Sequence, residues 1–366
     1  MIDLFLAPGR YIQEKGVATR VGEFISSFGK KPLVLADRIV YSEVGEVLSH
    51  SLGKENLVPQ FEQFQGECSP QEAERITNLL KKKKIDVIIG CGGGKAIDVA
   101  KVAAYNADLP IITFPTSAAT CAGWSFIAPL YTEEGVYLKT LDLKRSPDLA
   151  LVDPEIIARA PVRLFSAGMG DALAKWYEGR SVTEGRKKDF TTQLALDLAK
   201  KSHNLVKEIG PRAKQDVERK DCTREVEEII EVNILLTGLV SGLGKSRCRS
   251  LAAHALNYGM THLKETLGAL HGERVAFGVI MQLILERRDE NEVERLLLLY
   301  SALDLPLTLK GLGLSTNGEK LSRLVKEICK KESRIHKLPF PVNESIVKEA
   351  LLEADEWGRK IKNKGV

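Results

Sequence analysis

The sequence is short of cysteine pairs, of charge excess and of long apolar runs. Its six cysteines (Cys68, Cys91, Cys121, Cys222, Cys248 and Cys329) lie far apart, and no CxxC pair occurs. That argues against a thiolate zinc site and against a disulfide framework. No apolar run reaches the length of a membrane span, and the start of the chain, MIDLFLAPGR, has no signal-peptide pattern. Lys and Arg number 53 against 49 Asp and Glu, leaving a net charge of only +4. The lysines are scattered or gathered in short runs such as Lys81–Lys84, so neither a nucleic acid nor a membrane surface is an expected partner. No internal repeat or low-complexity segment is evident. The expected compartment is the cytoplasm. What is present is ordinary globular composition, 44% hydrophobic and 28% charged, over 366 residues, enough for two domains with cores.

One stretch organises the rest: IDVIIGCGGGKAIDVAK, from Ile85 to Lys101. Ile85, Val87, Ile88 and Ile89 make an apolar run of buried-strand length. Gly90, Gly92, Gly93 and Gly94 then allow a tight turn and a close approach of backbone to a ligand. Ala96–Ala104 reads as a helix. Strand, glycines and helix start together aim backbone N–H groups at a phosphate, and Lys95 adds a point charge there. Because Ala96 follows Lys95, the stretch is not a Walker A loop, and with lysine at the sixth position it is not GxGxxG either. A plain glycine-rich turn between strand and helix remains the alternative reading of these residues.

Strands alternate with helices through the first half. APGRYI suggests an edge strand or turn, and Val17–Phe28 an amphipathic helix. A buried strand is expected over Lys31–Asp37, a helix over Ser42–Leu52, a weak strand near Leu57–Phe64 and a helix over Ser69–Lys84. A strand at Leu109–Pro115 runs into TSAATCAGWS. A hairpin over Tyr131–Leu143 turning at Glu134 and Gly135, and a strand at Leu149–Asp153, complete an α/β sheet covered on both faces. Asp37, at the tip of its strand, stands where dinucleotide folds hold a ribose hydroxyl; it is equally placed to cap the next helix. After Ala160-Pro161 the strand runs stop and helical stretches follow: Thr191–Ile209, Glu225–Val240, Arg274–Glu286 and Ser345–Trp357. The expected domains are residues 1–160, α/β and dinucleotide-binding, and residues 161–366, all-helical, metal-binding and catalytic.

The helical half carries His254, His262, His271 and His336; His50 and His203 complete the set. His254 lies in LAAHALNYGM, His271 at an expected helix start in GALHGERVAFG, and Asp171 at a glycine-to-helix junction in SAGMGDALAKWYE. One acid and two imidazoles with an open fourth position suit a catalytic divalent metal. Spacing alone does not join them. From the residues alone a lone buried histidine is more often a satisfied core residue, and Asp171 reads also as an N-cap. His262 is a competing ligand, ranked lower because Lys264 and Glu265 beside it suggest an exposed face.

Taken together, LAPGRYIQEKG, GCGGGKAIDVAK, FPTSAAT, PDLALVDPEIIARAPVRLFSAGMGDALAKWYE, SGLG, LAAHALNYG and LHGERVAFG resemble the glycerol dehydrogenases of the iron-containing (group III) alcohol dehydrogenase superfamily, over essentially the whole chain. The resemblance implies an N-terminal dinucleotide-binding domain, a helical C-terminal domain, and an active site in the cleft between them. It implies that Asp37 holds the adenosine ribose, and that Gly92, Gly93, Gly94, Lys95 and Asp98 belong to the cofactor site, with Gly94 and Lys95 at the pyrophosphate. Thr116, Ser125, Ile127 and Tyr131 would line the adenine–nicotinamide path. Asp171, His254 and His271 match the family's metal ligands. The implied cofactors are NAD, with NADP as the alternative, and one divalent metal, zinc foremost, with iron, nickel or manganese as alternatives. The implied assembly is a homo-oligomer, an octamer among its forms.

Two positions depart from the family pattern. Cys121 stands where these enzymes commonly carry an Asp that touches substrate, and Ala119 where they carry a Ser at a cofactor contact. Removing a carboxylate weakens polyol selectivity and tolerates an anionic substrate. The expected reaction is hydride transfer between nicotinamide and a small vicinal diol or hydroxyketone. The alternative is a 2-hydroxycarboxylate dehydrogenase on the same fold. A lyase resembling dehydroquinate synthase ranks below both, since only Lys245, Arg247 and Arg249 are near candidates for a phosphate-bearing substrate. A binding protein that has lost catalysis ranks lower still, given Asp171, His254 and His271.

Overall fold

The computed structural model describes residues 6–248, 250–316 and 318–364. Arg249 and the first five residues of the N-terminal stretch lie outside them. The chain divides into two compact units, Met1–Ala160 with Arg219–Ile230, and Pro161–Glu218 with Glu231–Val366.

The first unit is built on a six-stranded parallel sheet. In chain order its elements are β1 (Arg10–Gln13), a 3₁₀ turn (Val17–Arg20), α1 (Val21–Ile25), β2 (Pro32–Ala36), α2 (Arg38–Lys54) and β3 (Gln60–Gln63). There follow α3 (Pro70–Lys83), β4 (Val87–Gly92), α4 (Gly94–Ala107), β5 (Ile111–Pro115), a separate hairpin of β6 (Ile127–Tyr131) and β7 (Tyr137–Asp142), then β8 (Leu149–Val152) and α5 (Pro154–Arg159). Successive side chains of a strand point to opposite faces, and both faces are buried. Leu33, Leu35 and Ile88 join one apolar cluster with residues of α3 and α4. Val34, Val87, Ile89, Cys91 and Phe114 join the other, with residues of α1 and α2.

The strand order, β1-β8-β5-β4-β2-β3, fixes where a ligand belongs. From β2 the chain moves outward to β3; it then crosses back to β4 and continues the other way to β5. The reversal falls between β2 and β4, whose C-terminal ends flank the crevice that such sheets use for ligands. β2 ends just before Asp37 and β4 ends at Gly92, in the same register, since Leu35 pairs with Gly90.

The hairpin differs from expectation: Tyr131 ends its first strand and does not begin it. Pro129 within that strand masks it in the sequence, but a two-stranded ribbon has only edges and tolerates a proline. The turn near Gly135, at φ 84°, is as expected.

The second unit opens with α6 (Val162–Thr183) and α7 (Phe190–Glu218). α8 (Arg224–Glu231) lies almost wholly in the segment that joins the first unit. A π-helical turn (Val232–Leu236), α9 (Thr237–Gly244), α10 (Ala252–Met260), α11 (His271–Leu285), α12 (Glu290–Ala302), α13 (Glu319–Ile328) and α14 (Glu344–Asn363) complete it. α7 passes through Gly210-Pro211, where the sequence suggests an end at Ile209. No helix among the described residues is long and apolar enough to cross a membrane.

Glycines at the crossings of α6, α10 and α11 let these helices meet backbone to backbone. A Cβ on Gly170 of α6 would stand 2.7 Å from the Gly272 carbonyl oxygen of α11. A Cβ on Gly272 would stand 1.8 Å from the Ala167 carbonyl oxygen of α6. One on Gly278 of α11 would meet Ala253 of α10 at 2.7 Å. This corrects the expectation for Asp171. It is neither an N-cap nor at a helix junction but midway along α6. The glycines around it, which suggest a boundary in the sequence, serve packing.

Candidate metal centre and nucleotide cradle

The three expected ligands stand beside those two crossings. Asp171 follows Gly170, His271 precedes Gly272 as the first residue of α11, and His254 follows Ala253 in the first turn of α10. One donor atom from each of Asp171, His254 and His271 lies within 4.8 Å of the others. Asp171 Oδ1 is 3.5 Å from His254 Nε2 and 3.6 Å from His271 Nε2. The two imidazole rings are 5.4 Å apart and inclined at 61°. Donors about 2.1 Å from a tetrahedral cation stand about 3.4 Å from one another, so these spacings fit a zinc-sized ion. Asp171 and His254 are buried, while the His271 side chain is 26% exposed and marks the open side of the cluster.

A positive group already faces these donors. Lys175 Nζ, buried one turn along α6, lies 3.0 Å from Asp171 Oδ1 and 3.5 Å from His254 Nε2. Burial pushes the Asp171 carboxyl up, but the Lys175 ammonium and the two imidazoles outweigh it and hold Asp171 well below the usual carboxylate range. Burial lowers His271, and the Asp171 carboxylate only partly offsets this. Burial also acts to lower His254, yet the Glu178 carboxylate prevails and raises it. An anionic carboxylate and a neutral, half-open imidazole are the forms that coordinate a cation. His262 is not in the group; its Nε2 lies 3.4 Å from Glu327 Oε2.

The glycine turn sits in the first unit at the reversal of the sheet. Gly92 has φ 135°, which favours glycine. α4 begins at Gly94, and no side chain caps it, so its first N–H groups point to the turn. Asp37 takes the capping role of its two readings. Its Oδ1 accepts the backbone N–H groups of Ile39 and Val40, each at 2.9 Å, and caps α2. Its Oδ2 faces Gly92, 4.0 Å from where a Cβ would be. The Lys95 ammonium pairs with Glu67 at the lip of the turn.

Of the other expected cofactor residues, Thr116 meets this turn directly. Thr116 is buried and donates its N–H to the Gly92 carbonyl at 3.2 Å. Asp98 is buried on α4, 2.7 Å from Lys101 Nζ, and burial lifts its carboxyl to about 6 against the pull of that ammonium. Lys101 Nζ donates to the carbonyls of Ala122 and Ser125, both at 3.0 Å, and of Ile127 at 2.6 Å. It therefore pins the loop that carries Cys121, Ser125 and Ile127. Cys121 is buried and not disulfide-bonded, and its carbonyl accepts the N–H groups of Trp124 and Ser125. Tyr131 donates its N–H to the Cys68 carbonyl at 2.9 Å and packs edge-on against Tyr137.

The sequence reading passed over Lys175, Glu178 and Lys101. Each carries a weak signal: a charged residue at helical spacing from a candidate ligand within an otherwise apolar stretch, at four and seven residues from Asp171 and three from Asp98.

Known proteins resemble this chain in sequence and in fold. The family model for iron-containing alcohol dehydrogenases matches residues 8–154. The glycerol dehydrogenase of Thermotoga maritima is 39% identical over 99% of this chain and 100% of its own. That of Pseudomonas putida is 36% identical over 96% of this chain and 97% of its own. A probable glycerol dehydrogenase from Sinorhizobium meliloti superposes with a TM-score of 0.90 at 35% identity, covering 98% of this chain and 100% of that one. The chain belongs to the iron-containing alcohol dehydrogenase family, and is an oxidoreductase acting on CH–OH groups.

Proposed function

We propose that this enzyme oxidises a small vicinal diol of the glycerol type to a hydroxyketone, reducing NAD, with one divalent cation held by Asp171, His254 and His271. The observation that carries the reading is the convergence of those three donors at 3.5 and 3.6 Å from three separate helices. Zinc suits the mixed nitrogen and oxygen set, with iron, nickel and manganese as the other candidates. When bound, the cation supplies Lewis-acid stabilisation of the substrate oxygen. Asp171 contributes the compensating negative charge, and the exposed edge of His271 is the side on which substrate approaches. Residues 1–160 receive the nucleotide and residues 161–366 the cation.

Within the nucleotide region, the first N–H groups of α4 and the Lys95 ammonium meet the pyrophosphate. Thr116, Ser125, Ile127 and Tyr131 line the path of the rings, with Lys101 fixing the loop they stand on or beside. Cys121 touches substrate as an uncharged group. The Asp37 Oδ2 accepts a ribose 2′-hydroxyl and repels a 2′-phosphate, which favours NAD over NADP. The 2-hydroxy acid alternative is not favoured: the full-length relatives described above are glycerol dehydrogenases. A cytoplasmic homo-oligomer is the proposed state.

The deciding experiment follows NAD reduction with glycerol or 1,2-propanediol. Activity should vanish on EDTA treatment and return with zinc. Turnover that survives exhaustive chelation would refute the metal reading. A second measurement addresses Asp37. Asp37→Ala removes a charged hydrogen bond to the ribose, and KM for NAD should rise about tenfold while KM for NADP falls. The lost cap should cost about 1 kcal/mol of stability. An unchanged ratio of the two KM values would remove Asp37 from the cofactor site.

A further inference from the structure

Glu178 lies on α6, seven residues after Asp171, and is fully buried. Its Oε1 accepts the backbone N–H groups of Leu251 at 2.6 Å and His254 at 3.0 Å. These are donors at the start of α10, where the N-cap residue Leu251 offers no side-chain cap. Its Oε2 lies 2.6 Å from His254 Nδ1. One carboxylate thus grips both the backbone and the ring of a candidate ligand.

The chemistry of that contact fixes more than position. A carboxylate oxygen only accepts, so Nδ1 must carry the ring hydrogen. In the neutral ring, the form that coordinates a cation, the lone pair is then on Nε2, the atom 3.5 Å from both Asp171 Oδ1 and Lys175 Nζ. We propose that Glu178 is a positioning residue that holds His254 in the Nδ1–H tautomer and turns Nε2 toward the cation; this rests on the metal reading above. Capping α10 alone would be a merely structural role, and the two roles separate in one variant.

Glu178→Gln keeps an oxygen for the Leu251 and His254 N–H groups but places an NH2 against Nδ1. Two donors then face each other. The ring relieves this by moving its hydrogen to Nε2 or by turning away, and either loses the coordinating lone pair. The metal-free variant should therefore melt near the wild type, yet bind Zn²⁺ about 10–100-fold more weakly in competition with a chromophoric chelator. The imidazole ¹⁵N spectrum of the metal-free protein should show Nδ1–H at His254 in the wild type and lose that pattern in the variant. Glu178→Asp, which keeps the charge but shortens the reach to Nδ1, should weaken Zn²⁺ in the same direction and serves if the first variant does not fold. Equal Zn²⁺ affinity of variant and wild type, or an Nε2–H tautomer in the wild type, overturns the assignment. A wild-type chain that takes up no Zn²⁺ overturns the metal reading and this one with it.

Discussion

Asp171→Asn is expected to strip the enzyme of its cation and to lower kcat/KM about a thousandfold. Lewis-acid stabilisation of a substrate oxygen is worth several kcal/mol, and each 1.36 kcal/mol is about a factor of ten in rate. Asp171 is the donor common to both short spacings, and the only anion of the three. Its amide would also leave the buried Lys175 ammonium without the carboxylate 3.0 Å away, a loss of about 3–5 kcal/mol for a broken buried pair. Low activity could then reflect partial unfolding. The double variant Asp171→Asn with Lys175→Met separates the effects, because it removes the uncompensated charge as well. It should melt closer to the wild type and remain inactive. Metal content by elemental analysis, thermal denaturation and kcat/KM together decide. An Asp171→Asn protein with full metal content and activity within about tenfold of wild type would contradict the proposed site.

The second large effect is structural. In Gly272→Ala the new methyl would lie 1.8 Å from the Ala167 carbonyl oxygen, which is backbone and cannot rotate aside. α6 and α11 must separate, and overpacking of this kind costs about 3 kcal/mol or more. In a unit of this size that lowers the melting temperature by about 6–12 °C. His271 precedes the clash and His271 Nε2 would leave its 3.6 Å spacing to Asp171, so activity should fall more than the remaining folded fraction explains. Gly268→Ala is the control. Nothing lies within 4 Å of its added methyl, and its melting temperature should stay within about 1 °C of wild type. Equal behaviour of the two variants would show that the crossing does not depend on Gly272.

The glycine turn and Asp37, the proposed nucleotide half of the site, are local in sequence, and their place at strand ends was legible for that reason. Gly92, Gly93, Gly94 and Lys95 follow one strand and open one helix, and Asp37 ends the neighbouring strand. Period and punctuation alone point to them. The cation half is not local. Asp171, His254 and His271 come together through helix crossings, and no periodicity encodes which faces meet; only the resemblance joined them beforehand. The glycines that make the crossings possible misled for a physical reason. Glycine marks helix ends in isolation, but Gly170 is buried inside a 22-residue helix where contact with α11 outweighs its poor propensity. Lys175, Glu178 and Lys101 escaped because a buried charge betrays itself mainly through its partners, here an imidazole or a row of carbonyls on other elements. The hairpin was misplaced because a proline inside a strand argues against strand until the strand is seen to have free edges.

The divided use of Asp37 ties two traits that selection usually adjusts separately. One oxygen holds the first turn of α2, and the other is the one proposed to receive the ribose. A lineage adapting to the phosphorylated dinucleotide cannot simply discard the acid without loosening that helix. Serine or asparagine would keep the turn closed while giving up the charge, so the accessible route to altered coenzyme use runs through those two residues at this position.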